Sequence, residues 1–131
     1  MVDLGGNTAV VRKQHRLQKK ACIKGVTIVP DCGMAPGLDV NLAYRALLRV
    51  HAPTSVRIYC GGIPGEATSP PLNYHFPFSV KGLVNECSGL ADVLRRGKLA
   101  QQECLVGRKM ITIPSLGKLE AAYTSGGLST A

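Results

Sequence analysis

A short β-branched run at residues 26–29 lies between two helical patterns in the first third of the chain. Glycine and proline bound this run, and its residue types predict a buried strand. Before it, apolar residues spaced by three and four predict a helix over residues 7–24, with Asn7 or Thr8 as its cap. After it, Pro36 suits the first turn of a second helix, so a short loop must connect the strand to that helix.

The remainder of the chain continues this alternation of extended and helical patterns. The predicted elements are the second helix through residue 50, strands at residues 55–60, 74–78, 110–113 and 119–123, and a two-turn helix at Val80–Cys87. Residues 91–105 fit either a helix capped by Gly97 or a hairpin that turns there. This order of elements predicts an α+β fold, with a mainly antiparallel sheet and helices on one face.

Composition indicates one folded domain that covers residues 1–131. Hydrophobic residues make up 45% of the sequence and charged residues 18%, so a core is available and intrinsic disorder is a poor description. No apolar run approaches the ~18 residues that span a bilayer, and the first residues lack the order of a signal peptide. We therefore expect a cytoplasmic protein with no membrane partner.

The five cysteines are odd in number and widely scattered. None forms a C-x-x-C pair, and no histidine stands at the spacing of a zinc ligand, so neither a disulfide framework nor a metal site is expected. Cys32 and Cys60 lack a basic neighbour that would lower the pKa of either thiol. We expect both to be small buried fillers rather than nucleophiles.

The formal net charge of +8 favours an anionic partner when it is taken alone. Six of the basic residues, however, fall in the segment 12–24 that is predicted to be helical, and the others are dispersed. A solvated helix face explains this pattern, since nucleic-acid readers usually add exposed aromatic residues or a recognisable module. We therefore expect no nucleic-acid partner.

Five short stretches connect the chain to a known family. Residues 29–38 resemble the strand, loop and helix that open the catalytic domain of saccharopine dehydrogenase-like reductases. Further stretches match in the family's order at residues 3–7, 59–64, 71–82 and 119–128. The chain is therefore similar to the C-terminal, substrate-binding and dimerisation domain of the saccharopine dehydrogenase and lysine 6-dehydrogenase family.

The resemblance implies an α+β domain inserted into a Rossmann-type dehydrogenase and paired through its sheet into a homodimer. No G-x-G-x-x-G follows a predicted strand, so we expect the chain to be a fragment whose nucleotide site lies elsewhere. Full-length members use NAD or NADP, whereas we expect neither to bind this chain alone. Relatives also place a strand, a turn and a strand at residues 91–105, which favours the hairpin there.

The activity that the resemblance implies is hydride transfer between a nicotinamide and a carbon that bears an amine. The expected role is to bind a small amino-acid substrate, of the saccharopine or lysine type, for reaction at its CH–NH or CH–NH2 group. Such a site needs donors for the substrate carboxylate and an acceptor for the ammonium. The alternative is a dimerisation or scaffold module that has kept the fold and lost catalysis.

Two acidic residues near the start of the second helix are the predicted catalytic residues. Asp39 lies in a Pro-Gly-x-Asp stretch whose family counterpart touches substrate, although an acidic residue in a first helical turn also stabilises the helix dipole. One interpretation of Asp31 is that it accepts the substrate ammonium or relays a proton. The other is that its side chain bonds its own backbone in a tight turn.

Backbone amides are the expected donors to the substrate carboxylate. The loop before the second helix is expected to offer free N–H groups, and the glycine pair after residue 60 is expected to do the same. The predicted substrate-binding residues are Cys32, Gly33, Gly37, Leu38, Gly61 and Gly62, and the matching stretch at residues 3–7 supplies Gly5 and Gly6 as predicted cofactor-binding residues. Glu86 matches an acidic family position, but residues 87–90 depart from the pattern that follows it in relatives, which leaves the substrate open.

Overall fold

The computed structural model describes residues 1–65 and 75–130. Four helices and four strands are assigned there: α1 (Thr8–Arg16), α2 (Gln18–Ile23), α3 (Leu38–Leu47), α4 (Val80–Cys87), β1 (Leu90–Arg95), β2 (Lys98–Glu103), β3 (Lys109–Ile113) and β4 (Gly117–Ala121). The predicted loop at residues 65–71 lies outside the described residues except for Gly65. The α+β composition expected from the sequence is confirmed.

The first predicted helix forms with a break in its middle. Asn7 caps α1, since its side-chain oxygen accepts a hydrogen bond from the Val10 N–H at 3.1 Å. Leu17 separates α1 from α2, and the chain leaves α2 through Gly25, which has a φ of 63° and donates its N–H to the Cys22 carbonyl. Asn7, rather than Thr8, is therefore the cap.

The helix α4 begins and ends at the predicted residues, Val80 and Cys87. Ser79 caps it, because its hydroxyl oxygen accepts the Gly82 N–H at 3.1 Å. The helix α3 also forms where predicted, but it begins at Leu38 and so excludes Pro36. Its N-cap is Gly37.

Each pair of strands is a local antiparallel hairpin. In the first hairpin Leu90 stands opposite Glu103 and Arg95 opposite Lys98, which confirms the hairpin prediction for residues 91–105. Its turn consists of residues 96–97, both with positive φ, a backbone that matches the twist of a two-residue hairpin. The second hairpin pairs β3 with β4 in the same antiparallel manner.

The prediction of one sheet with helices on one face is wrong. The described residues contain two separate two-stranded sheets, and no described helix forms a layer on either of them. The run at residues 26–29 contributes only one parallel bridge, from Val29 to Val2, and residues 55–60 form no strand. Residues 75–78 are not in a strand either, and residue 74 lies outside the described part. These runs have strand-forming residue types, but among the described residues only the first has a pairing segment, which is the short stretch at residues 1–3.

Little apolar surface is buried within the chain. Val11 and Ala91 are the buried hydrophobic residues of the described part, whereas Leu42, Leu94 and Met110 are more than half exposed. The accessible surface is 10448 Å², and a compact monomer of 13.9 kDa is expected to expose only about 6,700 Å². A large apolar surface is therefore available for contacts with other protein.

The described helices include none that is both long and apolar enough to cross a membrane.

Candidate functional site

The loop that leads into α3 is closed by its own backbone. The Gly33 N–H donates to the Pro36 carbonyl at 3.0 Å, and the Leu38 N–H donates to the Gly33 carbonyl at the same distance. Gly37 has a φ of 137°, and a Cβ on it would lie 2.7 Å from the Asp31 carbonyl oxygen. Only glycine fits at this position, because the backbone of the loop folds directly over it.

Asp39 holds the start of α3. Its Oδ1 accepts the N–H groups of Gly37 at 2.9 Å and Val40 at 2.8 Å. Within residues 1–65 and 75–130, Oδ2 of Asp39 accepts no hydrogen bond, so one carboxylate oxygen is left for a ligand. The side chain is half-buried. Asp39 therefore stabilises the start of α3, which was its alternative role in the sequence prediction. Its Oδ2 accepts no hydrogen bond from the described residues.

The expectation of free N–H groups at this helix start is wrong. The Gly37 and Val40 N–H groups are bonded to Asp39, and the Leu38 N–H is bonded to Gly33. The Asp39 N–H donates to the Met34 carbonyl at 3.0 Å. A neighbouring carboxylate and a tight turn therefore satisfy the donors of the helix start, whereas the N–H groups of Met34 and Ala35 donate to no backbone carbonyl among the described residues.

Asp31 is buried, with 5% of its surface exposed. Its Oδ2 accepts a hydrogen bond from the Ser129 hydroxyl at 2.6 Å, so the side chain does not bond its own backbone. Its Oδ1 is also buried and has no hydrogen-bond partner among residues 1–65 and 75–130. Asp31 has a φ of 54°, which is unusual for a residue with a side chain. The Asp31 carboxylate lies against Ser129 and Gly5. A substrate contact by Asp31 stays a prediction.

Two carboxylates and a thiol come together beside the glycine pair. Protein atoms around Cys60 desolvate its thiol and raise its pKa, and the negative charges of Asp39 and Glu86 raise it further. Burial likewise raises the pKa of Glu86 itself. Asp39 from α3 and Glu86 from α4 therefore each lie within electrostatic range of the Cys60 thiol. We call Asp39, Cys60, Gly61, Gly62 and Glu86 the acidic cluster.

The glycine pair in the acidic cluster is held by neighbouring segments. Gly62 packs against Pro77, since a Cβ on Gly62 would lie 2.9 Å from the Pro77 Cβ. Just before the pair, the Lys109 ammonium lies 5.1 Å from the centre of the Tyr59 ring and so joins β3 to this segment. In the described part of the chain no carbonyl oxygen accepts the N–H of Gly61 or Gly62.

A side-chain amide joins distant parts of the chain next to this cluster. Asn85 donates to the Gly6 carbonyl at 2.9 Å and accepts from the Asn7 amide at 3.3 Å. Its own carbonyl accepts the Ser125 hydroxyl at 2.8 Å, and the adjacent Glu86 carbonyl accepts the Ser125 N–H at 2.8 Å. We call these contacts of Gly6, Asn7, Asn85, Glu86 and Ser125 the Asn85 junction.

The two predicted cofactor residues have different surroundings. A Cβ on Gly5 would clash with the Asp31 carboxylate and would lie 2.8 Å from the Pro36 Cγ. A Cβ on Gly6 would meet nothing within 4 Å. Gly5 is exposed but has no room for a side chain, whereas Gly6 has room for one and is half-buried, with its carbonyl bonded to Asn85.

The other predicted substrate residues lie apart from the acidic cluster or on its rim. Cys32 is exposed, contrary to the expectation of a buried filler, and its Sγ lies 3.7 Å from the Val29 carbonyl. Cys60 is exposed as well, so the expectation of a buried filler is wrong for both cysteines. Leu38 is 53% exposed, and Gly33 packs against the backbone of Leu4. The loop thus brings Gly5, Gly33 and Gly37 together as packing residues.

Three residues of the site were not identified from the sequence as site residues. Glu86 was noted only as an acidic position that matches the family, and Asn85 and Ser129 gave no signal. Their positions depend on contacts between segments 40 to 98 residues apart, which no local pattern reveals.

Across the described ranges, no group of three or more His, Cys, Asp or Glu residues is arranged to hold a metal ion.

Glu86 makes the stability of the protein depend on pH. Because its pKa is raised in the folded state, the carboxylate is less favourable there than in the unfolded chain. The contribution of Glu86 to stability is therefore greatest at low pH and falls as the pH rises through the window between its ordinary and its raised pKa. As the pH rises across this window, we expect the melting temperature of Glu86→Gln to fall less than that of the wild type. Thermal unfolding at several pH values measures the difference. The exposed Glu103→Gln is the control, and equal pH dependence in all three proteins would contradict the assignment.

Comparison with protein families gives a match to most of the chain. Residues 33–131 match the family described as the Saccharopine dehydrogenase C-terminal domain. The match begins inside the loop before α3 and includes the acidic cluster. No solved structure matches the chain significantly.

Three curated relatives illustrate the similarity. The saccharopine dehydrogenase [NADP(+), L-glutamate-forming] of Pyricularia oryzae is 31% identical over 88 residues, which are 63% of this chain and 20% of the relative. The enzyme of the same name from Saccharomyces cerevisiae is 31% identical over 90 residues, 65% of this chain and 20% of the relative. The mitochondrial alpha-aminoadipic semialdehyde synthase of Rattus norvegicus is 32% identical over 88 residues, 63% of this chain and 10% of the relative. The aligned part of the chain thus spans a fifth or less of these relatives.

Proposed function

This chain belongs to the saccharopine dehydrogenase C-terminal domain family, and on that basis we propose that it is the substrate-binding domain of an NADP-dependent oxidoreductase. The substrate proposed is an amino acid of the saccharopine or lysine type, which reacts at its CH–NH or CH–NH2 group. The names of the two fungal relatives support NADP as the cofactor of the complete enzyme. Nothing in this proposal requires the isolated chain to bind the nucleotide.

The convergence of Asp39 and Glu86 on Cys60 is the observation that carries the proposal. Both charges raise the pKa of the same thiol, so two carboxylates face one small region beside Gly61 and Gly62. A region of this charge favours a cationic group, and the substrate class contains an ammonium. The raised pKa of Cys60 also argues against a thiolate nucleophile, in agreement with a reaction that needs none.

The roles of the residues follow from their unused atoms. Oδ2 of Asp39 is the proposed acceptor for the substrate ammonium, since Oδ1 is occupied by the helix start. The Gly62 N–H is the proposed donor to the substrate carboxylate, since the Gly61 N–H already donates to the Cys60 sulfur. This assignment transfers the carboxylate site from the start of α3, whose N–H groups are bonded, to the glycine pair. The predicted role of Asp31, which is to accept the substrate ammonium or relay a proton, stays part of the proposal, and its carboxylate is buried against Ser129.

The fit of the chain to the nicotinamide nucleotide is limited. Gly6 is half-buried with its carbonyl bonded to Asn85, a side chain on Gly5 would clash with Asp31, and the sequence contains no G-x-G-x-x-G phosphate loop. Most contacts to the nucleotide are therefore proposed to come from another domain. When bound, the nicotinamide accepts or supplies the hydride.

A homodimer in the cytoplasm remains part of the proposal. The excess of accessible surface over that of a compact monomer supports burial of apolar side chains against other protein, either a second copy or the nucleotide-binding domain. A scaffold role without catalysis is the alternative function, and the next experiment separates the two.

We expect Asp39→Asn, in a full-length enzyme that carries the nucleotide-binding domain, to reduce kcat/KM for the amine substrate by about 10- to 100-fold. Loss of a charge-assisted contact to substrate costs ~1.5–3 kcal/mol, whereas a weakened helix start costs only ~0.3–1 kcal/mol of stability. Steady-state kinetics and thermal unfolding of the same samples distinguish these effects. Asp92→Asn, which breaks the ion pair of Asp92 with Arg12 far along the chain, is the control.

Wild-type kinetics together with a lowered melting temperature would leave Asp39 as a helix-start residue only. A wild-type enzyme with no activity on any amine of the class would favour the scaffold role.

A further inference from the structure

Two of the five cysteines lie at the junction of α4 with the first hairpin. Cys104 follows directly after β2, and its N–H donates to the Gly89 carbonyl at 3.0 Å. Its Sγ lies 3.4 Å from the carbonyl oxygen of Ser88. Ser88 is the residue that follows Cys87 at the end of α4. The side chain of Cys104 therefore packs against the peptide link next to Cys87.

The hairpin register supports this proximity. Leu90 stands opposite Glu103, and one further step places Gly89 opposite Cys104, in agreement with the hydrogen bond between them. Cys87 lies two residues before Gly89 as the last residue of α4, so it adjoins this end of the hairpin. Cys87 and Cys104 are both half-buried, whereas the remaining three cysteines are exposed. The two thiols also interact electrostatically: burial, the charge of Glu86 and then the charge of Cys104 raise the pKa of Cys87.

We propose that Cys87 and Cys104 form a reversible intramolecular disulfide when the protein meets a disulfide oxidant such as oxidised glutathione. The bond would tie the end of α4 to the end of β2. Both thiols are free in the structure described here, so the disulfide is a second state of the chain. The inference does not depend on the proposed function.

The chemistry balances with one molecule of oxidised glutathione. A thiolate of the pair attacks one glutathione sulfur, which forms a mixed disulfide and releases the first reduced glutathione after it takes up a proton. The second cysteine then attacks the protein sulfur of the mixed disulfide and releases the second reduced glutathione. The two cysteines lose two electrons and two protons, and glutathione gains both. Because the pKa of Cys87 is raised, we expect the reaction to be faster at alkaline pH.

The bond would affect the neighbourhood of the acidic cluster. Glu86 precedes Cys87, and the Glu86 carbonyl accepts the Ser125 N–H. Fixing the end of α4 therefore also fixes one side of the Asn85 junction. Disulfides in reducing compartments are typically transient and act as redox sensors, which fits a pair of half-buried thiols rather than a structural framework.

Peptide mapping of the native 131-residue chain tests the proposal. The five cysteines fall in five different tryptic peptides, at residues 21–24, 25–45, 58–81, 82–95 and 99–108. The folded protein is treated with increasing oxidised glutathione, its remaining thiols are alkylated, and it is digested without reductant. We expect the linked pair of peptides 82–95 and 99–108 to appear first and to exceed every other pairing about tenfold. Treatment with dithiothreitol should remove it.

Variants and unfolding temperatures complete the test. Cys104→Ser should abolish the linked pair, whereas Cys22→Ser, at an exposed position on α2, should leave it unchanged. The oxidised wild type should unfold at a temperature higher by about 5 °C or more than the reduced protein, with no such rise for Cys104→Ser. Any of three results would overturn the proposal. These are alkylation of both cysteines after oxidation, glutathione adducts without the linked pair, and equal amounts of all pairings. The wild-type map decides the matter even where a variant fails to fold.

Discussion

Replacement of Gly37 by alanine is expected to lower the free energy of unfolding by more than ~3 kcal/mol, which is a large fraction of the ~5–15 kcal/mol typical of native proteins. The φ of 137° at Gly37 is strained for any residue with a side chain. A Cβ there would also overlap backbone atoms of Gly33 and Asp31, and backbone atoms are unable to rotate away. Denaturant unfolding monitored by circular dichroism measures the loss.

Gly25→Ala is the matched control for this substitution. Gly25 also has a positive φ, of 63°, but a Cβ there would meet nothing within 4 Å. Its expected cost is only ~1–2 kcal/mol, from the left-handed conformation alone. Equal losses for the two variants would show that the loop before α3 is open enough to accept a side chain, and the packing described for it would then be incorrect.

Gly5→Ala is expected to destabilise the protein by ~2–4 kcal/mol through the Asp31 carboxylate. The new Cβ would clash with Asp31 Oδ1 and would also lie 2.8 Å from the Pro36 Cγ. Gly6→Ala has a positive φ of 97° but no neighbour within 4 Å, so it should cost less. Thermal and denaturant unfolding of both variants provide the comparison.

A double-mutant cycle locates the cause of the Gly5 effect. Asp31→Ala removes the oxygen that the new methyl group would meet, so Gly5→Ala should cost at least ~1 kcal/mol less in that background than in the wild type. Additive losses would place the clash elsewhere. A Gly5→Ala protein of normal stability, with reduced nucleotide affinity in the full-length enzyme, would instead support the direct cofactor contact predicted from the sequence.

Local patterns in the sequence were sufficient for most helices and for the strands of the second hairpin. The bounds of α4 follow from Ser79, which caps the helix, and the two-residue turn at 96–97 fixes the register of the first hairpin. In each case the interacting residues are separated by a few positions. The choice of a hairpin at residues 91–105 needed the family resemblance as well, since Gly97 also suits a helix end.

Segments that need a distant partner were predicted less well. Residues 26–29 and 55–60 have the composition of strands, but composition does not specify which backbone will pair with them. Among the described residues, the segment 1–3 pairs with the first run through hydrogen bonds of Met1 and Asp3, and the second run is contacted through Tyr59 by Lys109. The single sheet of the prediction assumed pairings that these two segments do not make.

The candidate site was predicted in part for the same reason. Asp39 and the glycine pair were identified from motifs, and the position of Cys60 within reach of both Asp39 and Glu86 was not. The free N–H groups expected at the start of α3 were a general property of helix ends, and Asp39 itself removes them in this chain. Knowledge of a motif therefore identified the residues but not which of their atoms are available.

The Asn85 junction has a consequence for the order in which the chain folds. Its side-chain contacts join residues 78, 79 and 40 positions apart, whereas the turn of the first hairpin closes over two residues. The entropic cost of bringing two positions together grows with the length of chain between them, so the hairpins and helices should form early and the junction late. The Glu86 carbonyl is part of that junction, and the surroundings of the acidic cluster should therefore be the last region to acquire native contacts and the first to lose them.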